Sequence, residues 1–198
     1  MSETNMNMER LGISQFYKAN GFTSEDVQKP IIGIANSFSE IVPGHANLRT
    51  VAERVKLGIA QAGGMPVEFG VIGCCDGIAH GYEGNKLTLP SREIIASSVE
   101  VMAKVHRLDG LVLLGSCDKI VPGMLMGAAR LDIPCIFLPG GPMISGASFH
   151  DKPKADVSTV EEALGMYQSH QIPLQEVIDL TNTCNPTCGS CNFYGTAN

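Results

Sequence analysis

The sequence holds no uninterrupted apolar run of about 18 residues or more, the length that a membrane-spanning helix needs. Its start, Met1-Ser-Glu-Thr-Asn, has neither the basic region nor the apolar core of a signal peptide. Lysine and arginine number 14 against 20 acidic residues and lie scattered, so the basic footprint of a nucleic-acid binder is missing. No G-x-G-x-x-G follows the first apolar run and no G-x-x-x-x-G-K-[ST] occurs, which demotes dinucleotide and P-loop readings. There is no internal repeat and no low-complexity segment. The absences predict a soluble cytoplasmic protein with neither a nucleic-acid nor a membrane partner.

What is present suffices for one core. At 198 residues, 44% apolar and 17% charged, the chain is expected to form one domain rather than a disordered segment. Seven cysteines argue against a disulfide framework in a reducing cytosol and toward metal or redox use. Cys135, alone in Pro134-Cys-Ile-Phe-Leu, is expected to be a small buried hydrophobe.

The apolar pattern predicts helix over 8–22, strand over 31–37, helix over 48–62 stopped by Gly63-Gly64, and strand over 66–73. A helix then carries Ile94, Ile95, Val99, Met102 and Val105 on one face, with Ser91 as its N-cap. A third strand spans 110–116, with a helix starting near Pro122. The fourth strand, 134–138, runs into Pro139-Gly-Gly-Pro142. An exposed connection over 145–155 leads to a helix whose capping box is read as Ser158 and Glu161, and a shorter helix covers 174–180. Strands alternating with helices predict an α/β fold, an open, mostly parallel sheet with helices on both faces.

In such sheets ligands bind beyond the carboxyl ends of the strands. Asn36-Ser37, Cys74-Cys75-Asp76, Cys117-Asp118-Lys119 and Gly140-Gly141 all fall at those ends. Asp76 and Asp118 are hard oxygen donors of the kind magnesium prefers, or else they cap the helices and turns that follow. Lys119 is a rim ion pair, a base or, if carbamylated, another oxygen ligand. Cys188 and Cys191 have a spacing that lets two thiolates share one metal. With no second CxxC pair, a zinc ribbon fits poorly, and a thioredoxin-like dithiol belongs at a helix start after a strand. Cys117 could complete a three-thiolate iron–sulfur site with one iron open to substrate. His45 and His80 either touch substrate or metal or are hydrogen-bonded loop residues. His106 reads as structural, and His150 and His170 as facing solvent.

Five collinear blocks carry a resemblance: Ile34-Ala-Asn-Ser-Phe-Ser-Glu-Ile-Val-Pro-Gly-His45, Cys75-Asp-Gly-Ile-Ala-His-Gly81, Leu89-Pro-Ser-Arg-Glu-Ile-Ile-Ala96, Cys117-Asp-Lys-Ile-Val-Pro-Gly-Met-Leu-Met126 and Cys188-Gly-Ser-Cys191. Together they resemble the dihydroxy-acid dehydratase and 6-phosphogluconate dehydratase family over nearly the whole chain. The resemblance implies a metal-dependent lyase that removes water from a 2,3-dihydroxy carboxylic acid to give a 2-oxo acid. It implies cluster thiolates at Cys117 and Cys191, and magnesium ligands at Asp76, Asp118 and a carbamylated Lys119. Gly44 stands where members with a two-iron cluster carry a third cysteine, so a 4Fe-4S cluster is favoured over 2Fe-2S. Cys188 is then the candidate third thiolate, with Cys75 as runner-up.

The first half resembles the branched-chain enzymes of amino-acid biosynthesis, whereas the tail after Cys191 is more similar to the sugar-acid dehydratases. Family members continue well past Asn198, and that continuation carries a further magnesium ligand and the catalytic base. Residues 1–198 are therefore expected to be the amino-terminal α/β domain of a dehydratase, lacking a carboxyl-terminal part and second domain. No catalytic base is assigned within it. Partners expected are a small dihydroxy or sugar acid, and either a second copy as a homodimer or the missing carboxyl-terminal portion. A non-catalytic metal-binding module and a redox dithiol protein are the alternatives.

Overall fold

Four strands, β1 Ile31–Asn36, β2 Met65–Gly70, β3 Gly110–Gly115 and β4 Cys135–Pro139, form an all-parallel sheet in the order β2-β1-β3-β4. They belong to a computed structural model that describes residues 8–190. The two central strands, β1 and β3, are nearly continuous apolar runs and are buried, as a parallel strand covered on both faces should be.

The chain steps from β1 outward to β2, then back across β1 to β3 and on to β4. Right-handed crossovers taken in opposite directions must place their helices on opposite faces. Accordingly α2, Leu48–Gln61, covers one face, with Leu48 and Ala52 packed on Ile34 and Leu114. On the other face Ile95, Val99 and Ala103 of α3 (Ser91–Val105) and Ile120 and Met124 of α4 (Ile120–Ala129) pack on Ile31, Ala35, Leu111 and Leu113. The strand residues in the two clusters alternate, which is the period-two signature of a sheet with two buried faces. Helices α3 and α4 touch closely at Gly127, where a β-carbon would lie 2.8 Å from Val99 Cβ and 2.9 Å from the Ala96 carbonyl oxygen.

Two further helices, α5 Val157–Gln168 and α6 Leu174–Thr183, share a separate apolar cluster of Ala155, Ala163, Ile172, Val177, Leu180 and Cys184. Ahead of the sheet α1, Met8–Ala19, ends at a turn through Gly21 at φ 92°. Among the described residues no helix is long and apolar enough to cross a membrane.

The expected elements are all present, with corrections at their ends. Strand β2 stops at Gly70 because its only sheet partner, β1, pairs no further than Asn36. Ser91 is the first residue of α3 rather than its cap, and its hydroxyl donates to the Thr88 carbonyl at 2.6 Å. Helix α4 begins at Ile120, which leaves Pro122 in the first turn, where no intrahelical donor is lost. The capping box of α5 is Asp156 and Thr159, not Ser158 and Glu161. The Thr159 amide donates to Asp156 Oδ1 at 2.9 Å and the Asp156 amide to Thr159 Oγ1 at 3.1 Å. Asp156 wins because it has the extended backbone that a cap requires. Cys135 is exposed, against expectation. It opens an edge strand, and an apolar run on an edge reads like one in the centre.

Candidate functional site

The strand order reverses between β1 and β3, and the crevice beyond the carboxyl ends of the strands at such a switch point is where open α/β sheets bind ligands. Loops from every strand are stitched together there. Ser37 donates to the Leu114 carbonyl through both its amide, at 3.1 Å, and its hydroxyl, at 2.9 Å. The Gly140 amide donates to Ser116 Oγ at 2.9 Å, and Asn47 Nδ2 to the Gly140 carbonyl at 3.0 Å. The segment that precedes Cys191 joins the same rim: Gly189 donates to the Pro43 carbonyl at 3.0 Å and Ser190 to that of Gly141 at 2.9 Å. Cys191 itself lies outside the described residues.

His45 is fully buried, and its Nε2 faces the Ser116 amide nitrogen at 3.1 Å and the Ser116 carbonyl oxygen at 3.0 Å. Burial holds its pKa below the usual histidine value, against the opposing pull of the Ser116 and Ser37 backbone. With its proton on Nδ1 the neutral ring accepts from the Ser116 amide through Nε2, whereas a proton on Nε2 makes the ring a donor to the Ser116 carbonyl. Nδ1 and the Ser190 hydroxyl are buried at the rim with no well-formed hydrogen bond among the described residues.

Cys117 leaves β3 with φ 74°, a left-handed conformation rare outside glycine, and is 3% exposed. Such backbone costs on the order of 1–3 kcal/mol and gathers at functional sites. Its sulfur faces Gly44, where a β-carbon would lie 3.2 Å from Cys117 Sγ and 3.3 Å from Ser190 Cα. Cys75, half-buried, has its thiol in hydrogen-bonding contact with that of Cys117. This contact lowers the Cys75 pKa to about 6 against the effect of its own burial, helped by the Ile78 and Gly77 backbone. Cys188 is exposed, while Cys184 is buried between α5 and α6, where burial pushes its thiol up.

The next two residues turn the other way. Lys119 Nζ lies 2.9 Å from Asp76 Oδ2 and also donates to Asp118 Oδ2. The Asp118 carboxylate, with Asp76 behind it, holds the Lys119 ammonium above the usual lysine range despite partial burial. Asp118 does not cap α4, whose N-cap is Lys119 without a side-chain cap bond. Two carboxylates from different strand ends thus converge on one cation.

Among the described residues no three His, Cys, Asp or Glu side chains converge as a metal site. The donors come instead as two pairs on adjacent residues, one hard and one soft. The carboxylate pair suits magnesium, which needs only one or two protein carboxylates and keeps its waters. The thiol pair suits iron–sulfur ligation. The donor chemistry of the two pairs suits the two groups, while Gly44 keeps the backbone close against Cys117 with no room for a β-carbon.

His80 is exposed and is not drawn in, His106 bonds its own helix through the Met102 carbonyl at 2.9 Å, and His150 pairs with Glu176 at 2.6 Å. His170 is exposed at φ 60°. Sequence reasoning missed Ser116, Ser190 and the apposition of Gly44 with Cys117, for which adjacency to the marked strand ends was the only signal. A cleft of about 290 Å³ lined by Ile41, Gly73, Cys74, Cys75, Ile78 and Tyr82 among others opens beside the thiol pair. A wider one, about 790 Å³ between α1 and the end of α3, lies near the amino end of β3 and away from this chemistry.

The family model described as dihydroxy-acid/6-phosphogluconate dehydratase N-terminal matches residues 29–198. Among curated relatives, a dihydroxy-acid dehydratase of Pyrococcus furiosus is 51% identical over 191 residues, covering 96% of this chain and 34% of the relative. One of Caldanaerobacter subterraneus is 52% identical with the same coverage. One of Clostridium pasteurianum is 49% identical over 191 residues, covering 96% of this chain and 66% of the relative. The chain thus spans about a third of the length of most of these relatives.

Proposed function

The chain belongs to the dihydroxy-acid/6-phosphogluconate dehydratase family, and on that premise we propose that it is the amino-terminal part of a hydro-lyase. Its substrate is a 2,3-dihydroxy carboxylic acid of branched-chain amino-acid biosynthesis, converted in the cytoplasm to a 2-oxo acid. The relatives' name, dihydroxy-acid dehydratase, favours this over a sugar acid. Catalysis needs residues beyond this span, from a longer chain or a separate one, and a second copy of the chain is the other partner proposed.

The observation that carries the reading is the turn at Cys117. Its left-handed backbone sends the thiol toward Cys75 and Gly44, while Asp118 and Lys119 meet Asp76. Cys117, with Cys191 and a third thiolate from Cys188 or Cys75, would hold an iron–sulfur cluster, of the 4Fe-4S type that the family resemblance associates with Gly44. Asp76, Asp118 and, once carbamylated, Lys119 would hold magnesium. When bound, these groups supply a Lewis acid for the departing hydroxyl and a positive charge for the substrate carboxylate.

The chain's own residues do the positioning. His45 fixes the Ser116 backbone, and Gly140 holds the Ser116 hydroxyl. Val71, Ile120 and Val42 exclude water beneath the site. Lys119 keeps the two carboxylates from repelling one another before a divalent ion arrives.

Anaerobic reconstitution with iron and sulfide tests the proposal. The chain is expected to take up both, to lose that capacity in Cys117→Ser, and to dehydrate 2,3-dihydroxyisovalerate when mixed with the remaining portion of a relative. A folded chain that stays colourless and iron-free would refute the metal assignment, and uptake without dehydration in any mixture would leave a metal-binding module instead.

A further inference from the structure

Cys75 and Cys117 come from different strand ends, yet their thiols are in contact within the same apolar cluster. Cys74 lines the same cleft as its neighbour Cys75, and the other described cysteines lie elsewhere. Cys184 is sealed between α5 and α6, Cys188 is exposed on the tail, and Cys135 opens the β4 edge, where its thiol donates to the Ile133 carbonyl at 3.4 Å. Access to the contacting pair is one-sided. Cys75 lines the cleft of about 290 Å³, whereas Cys117 is 3% exposed behind it.

We infer that Cys75 and Cys117 form a reversible disulfide, a modification site that withdraws Cys117 from metal ligation when the chain carries no iron. The oxidant is a peroxide. The Cys75 thiolate attacks the peroxide O–O bond, forming an S–O bond and releasing hydroxide, or an alkoxide from an organic peroxide. The Cys117 thiol then attacks the resulting sulfenic sulfur, the S–S bond forms, and water leaves with the thiol proton. Two sulfur-borne electrons have passed to the peroxide, and two thiols have become one disulfide. A sulfenic acid with a thiol in contact condenses before it climbs to the irreversible sulfinic state. Closing the bond requires the sulfurs to approach to about 2.05 Å. Beyond Val71, whose amide donates to the Asn36 carbonyl at 2.9 Å, residues 72–75 carry no helix or strand structure, so the shift falls to them, whereas Cys117 is held in the core.

The link to metal ligation rests on the proposed function, but the disulfide does not. Iron-free, fully reduced chain is treated anaerobically with one equivalent of hydrogen peroxide, and a non-reducing digest is mapped by mass. The expected result is loss of two of the seven thiols, a cross-linked peptide pair containing Cys75 and Cys117, and full reversal by dithiothreitol. In Cys75→Ser, and in Cys75→Ala should the serine fail to fold, Cys117 is recovered as a free thiol when the treated chain is unfolded and alkylated. A cross-link from Cys117 to any other cysteine, no thiol loss, or sulfinic acid at Cys75 beside a free Cys117 overturns the inference.

Iron and sulfide uptake by reduced and oxidised chain separates the two readings. A reversible disulfide with no uptake by the reduced chain keeps the site and removes the proposed function. Uptake by the reduced chain with no disulfide does the reverse. Equal uptake by both forms overturns the withdrawal of Cys117.

Discussion

His45 and Ser116, 71 residues apart, are joined through one ring nitrogen that meets both the amide and the carbonyl of the same residue. Burial depresses the pKa of this ring, against the opposing pull of the Ser116 and Ser37 backbone. The unfolded chain therefore binds the proton more readily, so stability should be complete above the unfolded value of 6.5 and be lost as pH falls through the lower folded value. Urea unfolding midpoints between about pH 7.5 and about pH 5.5 check this. The His45→Gln variant should show a shallower slope over that window, and parallel slopes would count against the assignment.

Two glycines in helices should respond in opposite ways to alanine. Gly127→Ala drives a methyl group into Val99 and the Ala96 carbonyl, and overpacking of this kind costs about 1–3 kcal/mol. Gly165→Ala in α5 meets nothing within 4 Å and should stabilise by about 0.5–1 kcal/mol through helix propensity. Denaturant titration of both variants reads the difference.

Removing a cap tests which residues start α5. Asp156→Ala should cost about 1 kcal/mol, while Ser158→Ala and Glu161→Ala should stay within about 0.5 kcal/mol of the parent. Equal losses in all three would mean that the capping box drawn between Asp156 and Thr159 does not govern the helix end.

If hard and soft donors serve separate groups, their losses should separate. Asp76→Asn and Asp118→Asn are expected to weaken magnesium or manganese binding by more than the ~10-fold typical of an outer partner, and to leave iron uptake near the parental level. Cys117→Ser should show the opposite pattern. Calorimetry with the divalent ion and iron analysis on the same samples give both readings.

Gly44 is constrained by space alone. Its alanine variant places a methyl 3.1 Å from Ser116 Cβ and 3.2 Å from Cys117 Sγ, so those neighbours must give way at a cost of about 1 kcal/mol. Slower anaerobic iron uptake is expected together with the lower unfolding midpoint. Normal uptake would show that Cys117 can move without losing its role.

The layers of the fold were legible because β1 and β3 are continuous apolar runs and α2 and α3 repeat at helical spacing. The rim was legible for a related reason: in a parallel sheet every strand end falls on one side, so Asp76 and Asp118 had to share one rim. What could not be read was lateral. The pattern of β4 does not announce an edge, so Cys135 looked buried. Cys188, marked by its CxxC spacing, is exposed, and the contact between Cys75 and Cys117 depends on strand order. Gly44 has no side chain to advertise itself, and its importance is the volume it does not fill.

The stitches from Gly189 to Pro43 and from Ser190 to Gly141 tie the last described residues to loops near the first strand and after the fourth. Closing a loop from residue 43 to residue 189 carries an entropy cost that grows with the logarithm of its length, and parallel pairings of distant segments form slowly. The rim should therefore assemble at the end of folding, after β1 has found β3. A ribosome must release almost the whole span before these stitches can close, so the rim belongs to the finished fold and not to the nascent chain.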